Sequence, residues 1–204
     1  MRQRPIAAII LAAGESTRMG RPKQLLPWGG TTLLAWQVGQ MREAGVDEVV
    51  VVLGHAAVEV RPAVPPEARV VVNDAYKEGR ASSLRCGAQA VSDDAGAVLV
   101  LSVDQPRPAS LSRRLIKRWR EKKGAPIVSP RFPRRFGHPV LVDGSLLGEL
   151  RAVDEATLGL RAVIDRHAAK AEALPVEDDR VDVDLNTPAD YEAALAAFAR
   201  GAWD

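Results

Sequence analysis

The sequence predicts an α/β protein, a three-layer α/β/α sandwich with a mostly parallel sheet, in one domain that spans residues 1–204. Strand-like and helix-like runs alternate along the chain, and strands joined by helical crossovers lie parallel to one another. The composition fits this class, because 47% of the residues are apolar and only 4% are aromatic. A chain rich in Ala, Val and Leu can bury a large core between helices and a Val-rich sheet.

The elements follow in chain order. Residues 5–11 form an uninterrupted apolar run, which is typical of a strand buried on both faces. Residues 31–44 carry apolar side chains at helical spacing and end at Gly45. The other predicted strands are 47–53, 68–72, 97–103, 126–129, 139–142 and 181–184, and the other predicted helices are 82–91, 111–122, 158–167 and 188–200. The Arg- and Pro-rich segment 130–137 is predicted to be a loop.

Composition and charge argue against several classes of protein. The formal net charge is +2, which does not favour a nucleic-acid binder. Cys86 is the only cysteine, so an intrachain disulfide or a cysteine-based zinc site cannot form, and a cytoplasmic location is expected. The apolar run 6–13 is far shorter than the roughly 20 residues that span a membrane. It leads directly into the motif described next, so we do not interpret it as a signal peptide.

A glycine-containing loop follows the first predicted strand. Small residues at 12–14 let the backbone approach a ligand, and Gly14 and Gly20 permit conformations closed to other residues. Successive N–H groups in such a loop bind anions, and Arg18 and Lys23 add positive charge suited to phosphate. The loop is neither a P-loop nor a dinucleotide fingerprint. From its composition alone, an ordinary βα loop with surface cations is an equal alternative.

Longer motifs resemble a known family. The string Leu-Ala-Ala-Gly-x-Ser-x-Arg-Met-Gly-x-x-Lys-x-Leu-Leu from residue 11 resembles the signature of nucleotidyltransferases with a glycosyltransferase-A-like fold. Four further motifs are similar to the molybdopterin cytidylyltransferase branch: Ser82-Ser83-Leu84-Arg85, Asp104-Gln105-Pro106, Gly137-His138-Pro139-Val140 and Asn186-Thr187-Pro188-x-Asp190. The resemblance covers nearly the whole chain. Ala156 and Thr157 depart from the Gly-Asp that this branch usually carries.

The resemblance implies a Rossmann-like nucleotidyltransferase fold and transfer of CMP from CTP to molybdopterin with release of pyrophosphate. It implies that Arg18 and Lys23 contact the β- and γ-phosphates as catalytic residues. The expected nucleotide-binding residues are Leu11, Ala12, Ala13, Gly14, Arg18, Lys23, Ser82, Ser83 and Arg85. His138 and Arg135 are expected to bind the phosphorylated acceptor, with a turn histidine as the alternative for His138. A molybdoenzyme that receives the product is a further expected partner; nucleic acid and membrane are not.

Carboxylates indicate where Mg²⁺ binds. In parallel sheets ligands bind at the carboxyl ends of the strands, and Mg²⁺ is typically held by one or two carboxylates together with phosphate oxygens. Asp104 follows the fourth strand and is expected to be a catalytic metal ligand, with a turn-starting Asp as the alternative. Asp184 is expected to be the second ligand, and Asn186 competes with it. Residues 187–190 have the form of a helix start and are interpreted as structural.

The expected chemistry leaves two alternatives open. A phosphate monoester is mostly dianionic at neutral pH, since its second pKa is about 6, so the reaction needs no general base. The first alternative is the same chemistry on a sugar or polyol phosphate. The second is a non-catalytic nucleotide-binding protein that delivers the cofactor to a molybdoenzyme. Release of pyrophosphate distinguishes the enzyme from the delivery protein.

Overall fold

The computed structural model describes residues 4–132, 137–156, 158–177 and 183–201. The strands are Ile6–Ala12 (β1), Pro27–Trp28 (β2), Thr31–Thr32 (β3), Glu48–Leu53 (β4), Ala68–Val72 (β5), Ala97–Ser102 (β6), Ile127–Arg131 (β7), Val140–Asp143 (β8) and Glu172–Pro175 (β9). The helices are Leu33–Glu43 (α1), Ala57–Val60 (α2), Arg80–Ala90 (α3), Ala109–Glu121 (α4), Leu147–Arg151 (α5), Leu160–Arg166 (α6) and Pro188–Ala199 (α7). No helix in these ranges has the length and apolar character that crossing a membrane requires.

Seven strands form one sheet in the order β5-β4-β1-β6-β8-β7-β9. The pairs β4–β5, β1–β4, β1–β6 and β7–β9 are parallel, and β8 is antiparallel to both of its neighbours. Strands β2 and β3 form a separate two-stranded ribbon. The predicted α/β class with a mostly parallel sheet is therefore confirmed.

Strand β1 shows why the fold has three layers. Its side chains alternate between faces: Ile6, Ala8 and Ile10 enter one hydrophobic core, and Ala7 and Ile9 enter another. Helices α1, α4 and α7 contribute to the first core with Val38, Leu115 and Tyr191, and helices α3, α5 and α6 contribute to the second with Leu84, Leu150 and Val163. Both faces of the sheet are covered, which explains the uninterrupted apolar runs of its central strands.

The predicted last strand is the main difference. Val183 and Asp184 lie outside any strand, and 181–182 lie outside the described residues. The edge of the sheet is instead β9, which the sequence analysis missed. This strand has the sequence Glu-Ala-Leu-Pro and is only partly buried, so it lacks the apolar run that identified the central strands.

The start of α7 confirms a structural prediction. The Thr187 side chain accepts a hydrogen bond from the backbone N–H of Asp190, and the Asp190 carboxylate accepts one from the backbone N–H of Thr187. Pro188 occupies the first helical turn, where its missing N–H costs nothing. The motif at 187–190 is thus a capping box that fixes the chain directly after Asn186.

The close approach of α3 to the sheet predicts a stability difference. A Cβ on Gly87 would lie 2.6 Å from Ile9 Cγ2 and 2.8 Å from Val52 Cγ2. We expect Gly87→Ala to lower the free energy of unfolding by about 1–3 kcal/mol, because overpacking outweighs the better helix propensity of Ala. Gly39→Ala in α1 is the control, since no atom lies within 4 Å there, and it should add about 0.5–1 kcal/mol. Urea denaturation measures both, and a stabilised Gly87→Ala would contradict this packing.

Candidate active site

Lys23 and Asp104, which are 81 residues apart, form an ion pair at the carboxyl edge of the sheet. Lys23 Nζ donates a hydrogen bond to Asp104 Oδ2 at 3.0 Å. The Lys23 side chain is 10% exposed and that of Asp104 is 25% exposed. Strands β1 and β6 are parallel neighbours with Leu11 paired to Ser102, so the loops that follow them leave the sheet side by side. The structure thus brings together the predicted phosphate-binding cation and the predicted metal ligand.

The loop after β1 is held by its own side chains. The backbone N–H of Lys23 donates to Ser16 Oγ at 3.1 Å, and Gln24 Nε2 donates to the Ala12 carbonyl at 2.6 Å. Ser16 and Gly20 have left-handed backbone conformations, with φ of 55° and 71°. These bonds fold residues 16–24 back against the end of β1, which orients Lys23 towards Asp104.

Gly14 and Gly20 differ in backbone conformation. Gly14 is absent from the residues of positive φ, and a Cβ built on it would meet nothing within 4 Å. The conformational freedom that glycine permits is therefore used at Gly20 and not at Gly14. What Gly14 provides is the absence of a side chain at an exposed position, beside the buried Ala12 and Ala13. Ala13 is fixed here, because its carbonyl accepts a hydrogen bond from the His55 N–H at 3.0 Å.

The electrostatics of the pair favour the charged form of Asp104. Burial raises the pKa of Asp104, but the Lys23 ammonium and a hydrogen bond from Ser102 outweigh burial and hold this pKa below its usual value. Asp104 is therefore an anion at neutral pH, and it neutralises most of the Lys23 charge. An entering anion would compete with Asp104 for Lys23.

The segment around Asp184 joins the same edge. The backbone N–H of Leu185 donates to the Asp104 carbonyl at 2.8 Å, which places Asp184 and Asn186 beside the loop after β6. Arg18 Nη2 donates to Asn186 Oδ1 at 3.3 Å. Three separate segments, carrying Arg18, Asp104 and Asp184, thus meet where the topology of a parallel sheet predicts.

Arg107 holds these segments together and was missed by the sequence analysis. Its side chain is fully buried. Nη1 donates to the carbonyls of Pro106 at 2.9 Å and Val183 at 2.7 Å, and Nε donates to the His138 carbonyl at 3.0 Å. Nη2 lies 3.8 Å from Asp184 Oδ1. Because a buried guanidinium must satisfy its donors, it fixes the backbone on three sides of the site.

The donor set fits Mg²⁺ that arrives with a nucleotide. Asp104 and Asp184 offer carboxylate oxygens, the ligands that Mg²⁺ prefers, and the Asn186 amide oxygen is a third. Within the described ranges no group of three or more His, Cys, Asp or Glu side chains is arranged to hold a metal ion. One or two carboxylates suffice when phosphate oxygens and waters complete the coordination.

Ser82, Ser83 and Arg85 have structural contacts. Asn73 Nδ2 donates to Ser82 Oγ at 2.9 Å and to Ser83 Oγ at 3.0 Å, which ties the start of α3 to the end of β5. Arg85 Nη1 donates to the Val153 carbonyl at 3.0 Å, which ties α3 to the segment after α5. Their nucleotide-binding role stays a prediction, because these contacts fix α3 and do not involve the Lys23–Asp104 pair.

A cavity of about 640 Å³ opens on the α3 side of the sheet. Its apolar lining includes Leu84, Val100, Val140, Leu160 and Ile164, and its polar lining includes Arg80, Ser102, His138, Glu155 and Arg161. Ser102 lines the cavity and precedes Asp104 by two residues, so the cavity begins beside the ion pair. Its volume lies in the range of pockets that hold drug-sized ligands, about 300–1,000 Å³.

His138 lies in the cavity wall, and its contacts and surroundings indicate which ring nitrogen carries the proton. Nδ1 is 3.3 Å from the Val100 carbonyl, and this carbonyl can only accept, so Nδ1 carries the proton. Burial lowers the pKa of His138, and the charges of Arg80 and Arg107 lower it further. The ring is therefore neutral at pH 7, and Nε2 is an acceptor. Arg135, the other predicted acceptor-binding residue, lies outside the described residues.

Comparison with known proteins decides the family. A sequence model described as the MobA-like NTP transferase domain matches residues 8–171, most of the chain. The chain belongs to this family. The family resemblance of its motifs is thereby confirmed, and the coarse chemistry is that of a nucleotidyltransferase.

Individual relatives of this MobA-like chain differ in their named activities. It is 31% identical over 191 residues to the nicotine blue oxidoreductase of Paenarthrobacter nicotinovorans, covering 89% of this chain and 92% of that protein. It is 36% identical over 186 residues to the 2-C-methyl-D-erythritol 4-phosphate cytidylyltransferase of Rhodococcus jostii, covering 85% and 79%. It spans only 33% of the Bifunctional protein GlmU of Geobacter sulfurreducens, at 31% identity over 155 residues (74% of this chain).

Solved structures share the fold over nearly the full chain. A nucleotidyl transferase from Methanothermobacter thermautotroptrophicus superposes with a TM-score of 0.82 at 26% identity, covering 97% of this chain and 99% of that one. Rv0371c from Mycobacterium tuberculosis superposes with a TM-score of 0.79 at 30% identity, covering 95% and 98%. A second structure of Rv0371c is a complex with manganese, with a TM-score of 0.74 at 30% identity, covering 95% and 99%.

The lowered pKa of Asp104 predicts a pH-dependent stability difference. A carboxylate of this kind contributes stability above its unfolded-state pKa and loses it as the pH falls through its folded-state pKa. Asp104→Asn should therefore lower the free energy of unfolding by about 1–3 kcal/mol at pH 7. The difference from the wild type should begin to shrink below about pH 4, where this carboxyl protonates in the unfolded chain. It should disappear as the pH falls through the lowered pKa that Asp104 has in the folded protein.

Urea denaturation at pH 7 and at about pH 3 measures this difference. Asp93→Asn is the control, because Asp93 is 86% exposed in a surface ion pair with Arg151. Its effect should be small at both pH values. A deficit in Asp104→Asn that is equally large in acid would show that the Asp104 charge is not the source of the stability.

Proposed function

We propose that the chain is a Mg²⁺-dependent nucleotidyltransferase that transfers CMP from CTP to molybdopterin and releases pyrophosphate. The observation that carries this proposal is the 3.0 Å pair between Lys23 and Asp104. It joins the loop proposed to bind phosphate to a carboxylate suited to a metal, beside a cavity large enough for a second substrate. Membership of the MobA-like family supports the coarse chemistry.

The nucleotide side of the mechanism follows from the loop after β1. The triphosphate would lie against the N–H groups of residues 12–20, where Arg18 and Lys23 supply positive charge. Lys23 would exchange its bond to Asp104 for phosphate oxygens. Asp104 and Asp184 would then hold Mg²⁺, which neutralises phosphate charge and aligns the groups that react.

The transfer step needs positioning more than proton chemistry. An oxygen of the acceptor phosphate forms a bond to the α-phosphorus of CTP. The bond from this phosphorus to the oxygen that bridges it to the β-phosphorus breaks, and pyrophosphate leaves with the electron pair. Lys23 and Arg18 stabilise the negative charge that grows on pyrophosphate. The acceptor phosphate is already mostly dianionic, so the neutral His138 is not needed as a base.

The cavity favours a ring system as the acceptor. Its wall includes Leu84, Val100, Val140, Leu160 and Ile164, and a fused heterocycle would remove this apolar surface from water. A sugar or polyol phosphate would leave most of the same surface hydrated. A small phosphate acceptor remains the alternative, because the Rhodococcus relative is named for one. For the favoured acceptor, a molybdoenzyme that receives the product would be the protein partner.

An assay for pyrophosphate release distinguishes the proposed transferase from functions of other classes. One relative is named an oxidoreductase, and a non-catalytic protein that delivers a nucleotide cofactor would also use the loop at residues 12–23. Neither of these functions explains why Asp104 and Asp184 converge beside the loop, whereas a metal-assisted phosphoryl transfer does. Neither function would release pyrophosphate.

The purified chain should release pyrophosphate fastest from CTP with molybdopterin in the presence of Mg²⁺. The comparison set is GTP, UTP and ATP as nucleotides and 2-C-methyl-D-erythritol 4-phosphate as an acceptor. Faster turnover of the erythritol phosphate would show that the acceptor is a polyol phosphate and not a ring system. Oxidation of a reduced nicotinamide nucleotide without release of pyrophosphate would show that the chain is an oxidoreductase and not a transferase.

Asp104→Asn should lower the rate at least about a hundredfold while the protein stays folded, because one electrostatic element of such a site contributes about 10²–10³ in rate. Lys23→Ala should raise the KM for CTP and lower kcat. Asp93→Asn, remote and 86% exposed, should match the wild type. An Asp104→Asn variant with normal turnover and a lower melting temperature would make Asp104 a turn residue.

A further inference from the structure

Most of the charged side chains that line the cavity form hydrogen bonds to other groups of the protein. Arg161 Nε donates to both carboxylate oxygens of Asp165, Glu172 accepts a hydrogen bond from Arg118 at 2.8 Å, and Glu155 accepts one from the Ala81 N–H at 2.8 Å. Within the described part of the chain, Arg80 differs from these residues. It lines the cavity, and its exposed guanidinium has no hydrogen bond or ion pair there.

Arg80 stands on the cavity side of the candidate metal ligand. It is the first residue of α3, after Gly79 with a φ of 114°. Burial has the largest influence on the pKa of both Asp104 and His138, and the Arg80 charge lowers each pKa as well. The Arg80 charge therefore lies within electrostatic range of both Asp104 and His138.

The proposed reaction requires a positive charge on the acceptor side of the site. Lys23 and Arg18 lie in the loop that would bind the triphosphate, and Asp104 is an anion. In the proposed reaction a dianionic acceptor must approach another phosphate, and like charges at short range repel strongly in a partly buried site. A cation beside the acceptor offsets this repulsion, and it is most effective when held by the fold in advance.

We propose that Arg80 binds the phosphate group of the acceptor in this cavity and so restricts acceptors to phosphate monoesters. This inference rests on the proposed function and adds the residue that recognises the second substrate. The planar guanidinium offers paired N–H donors that match two phosphate oxygens. A third oxygen stays available to form the bond to the α-phosphorus, while the bond to the bridging oxygen breaks and pyrophosphate takes the electron pair.

A binding experiment tests Arg80 without knowledge of the acceptor. Inorganic phosphate is titrated into the full chain saturated with Mg²⁺ and α,β-methylene-CTP, which occupies the triphosphate loop and cannot react. The Nε–H resonance of Arg80, assigned from its loss in Arg80→Gln, should shift and saturate. The Nε–H of Arg113, a residue of α4 that pairs with Glu43 of α1, should not shift. An unchanged Arg80 resonance would overturn the proposal.

Steady-state kinetics of Arg80 variants provide the second test of the proposal. Arg80→Gln should raise the KM for the acceptor about tenfold to a hundredfold, the range expected when a hydrogen bond to a charged group is lost. The KM for CTP should stay constant, and Arg80→Lys should recover part of the loss. Arg113→Gln is the matched control and should match the wild type. The melting temperature should not change, because Arg80 has no structural bond to lose.

The two proposals fail in different ways. If acceptor turnover occurs and Arg80→Gln leaves the KM for the acceptor unchanged, Arg80 does not bind the acceptor and the transferase function still stands. If no acceptor releases pyrophosphate but phosphate shifts the Arg80 resonance, the transferase proposal fails while the anion site stands.

Discussion

The ion pair of Lys23 with Asp104 is the interaction on which the site depends. It connects the loops after β1 and β6, and parallel pairing of these strands places both loops at one edge. A buried ion pair contributes little net stability, but separating its partners leaves a buried charge uncompensated, which is costly. The pair therefore holds the loops in one arrangement. In the proposed function, the same constraint would keep Lys23 in position before the nucleotide arrives, which is the condition for electrostatic catalysis.

Arg107 gives this arrangement its second support. As a fully buried guanidinium, it must find acceptors inside the protein, and it finds carbonyls at Pro106, Val183 and His138. These carbonyls lie on the segments that carry Asp104 and Asp184, the proposed metal ligands, and on the cavity wall. The geometry of the candidate site is therefore fixed by hydrogen bonds of a buried side chain. Arg80, in contrast, has no hydrogen bond or ion pair to the residues that the structure describes.

The sequence predicted those features that depend on local pattern. Strand β1 is buried on both faces, so its uninterrupted apolar run predicted a strand. The motif spacing from Leu11 to Lys23 predicted the loop that follows it. Edge strand β9 lacks an apolar run. Arg107 is important because it contacts residues 31 and 76 positions away, which no local pattern reveals. The same holds for Arg80, whose lack of partners among the described residues becomes visible only in the folded chain. The φ of Gly14 could not be predicted either, because a glycine occurs both where the backbone needs it and where a ligand needs space.

The most direct test of the account is a crystal structure of the chain with Mn²⁺ and α,β-methylene-CTP, in which anomalous scattering locates the metal. The account predicts Mn²⁺ bound by a carboxylate oxygen of Asp104, with Lys23 Nζ moved from Asp104 to the phosphates. An intact Lys23–Asp104 pair, with metal and triphosphate bound elsewhere on the chain, would contradict it.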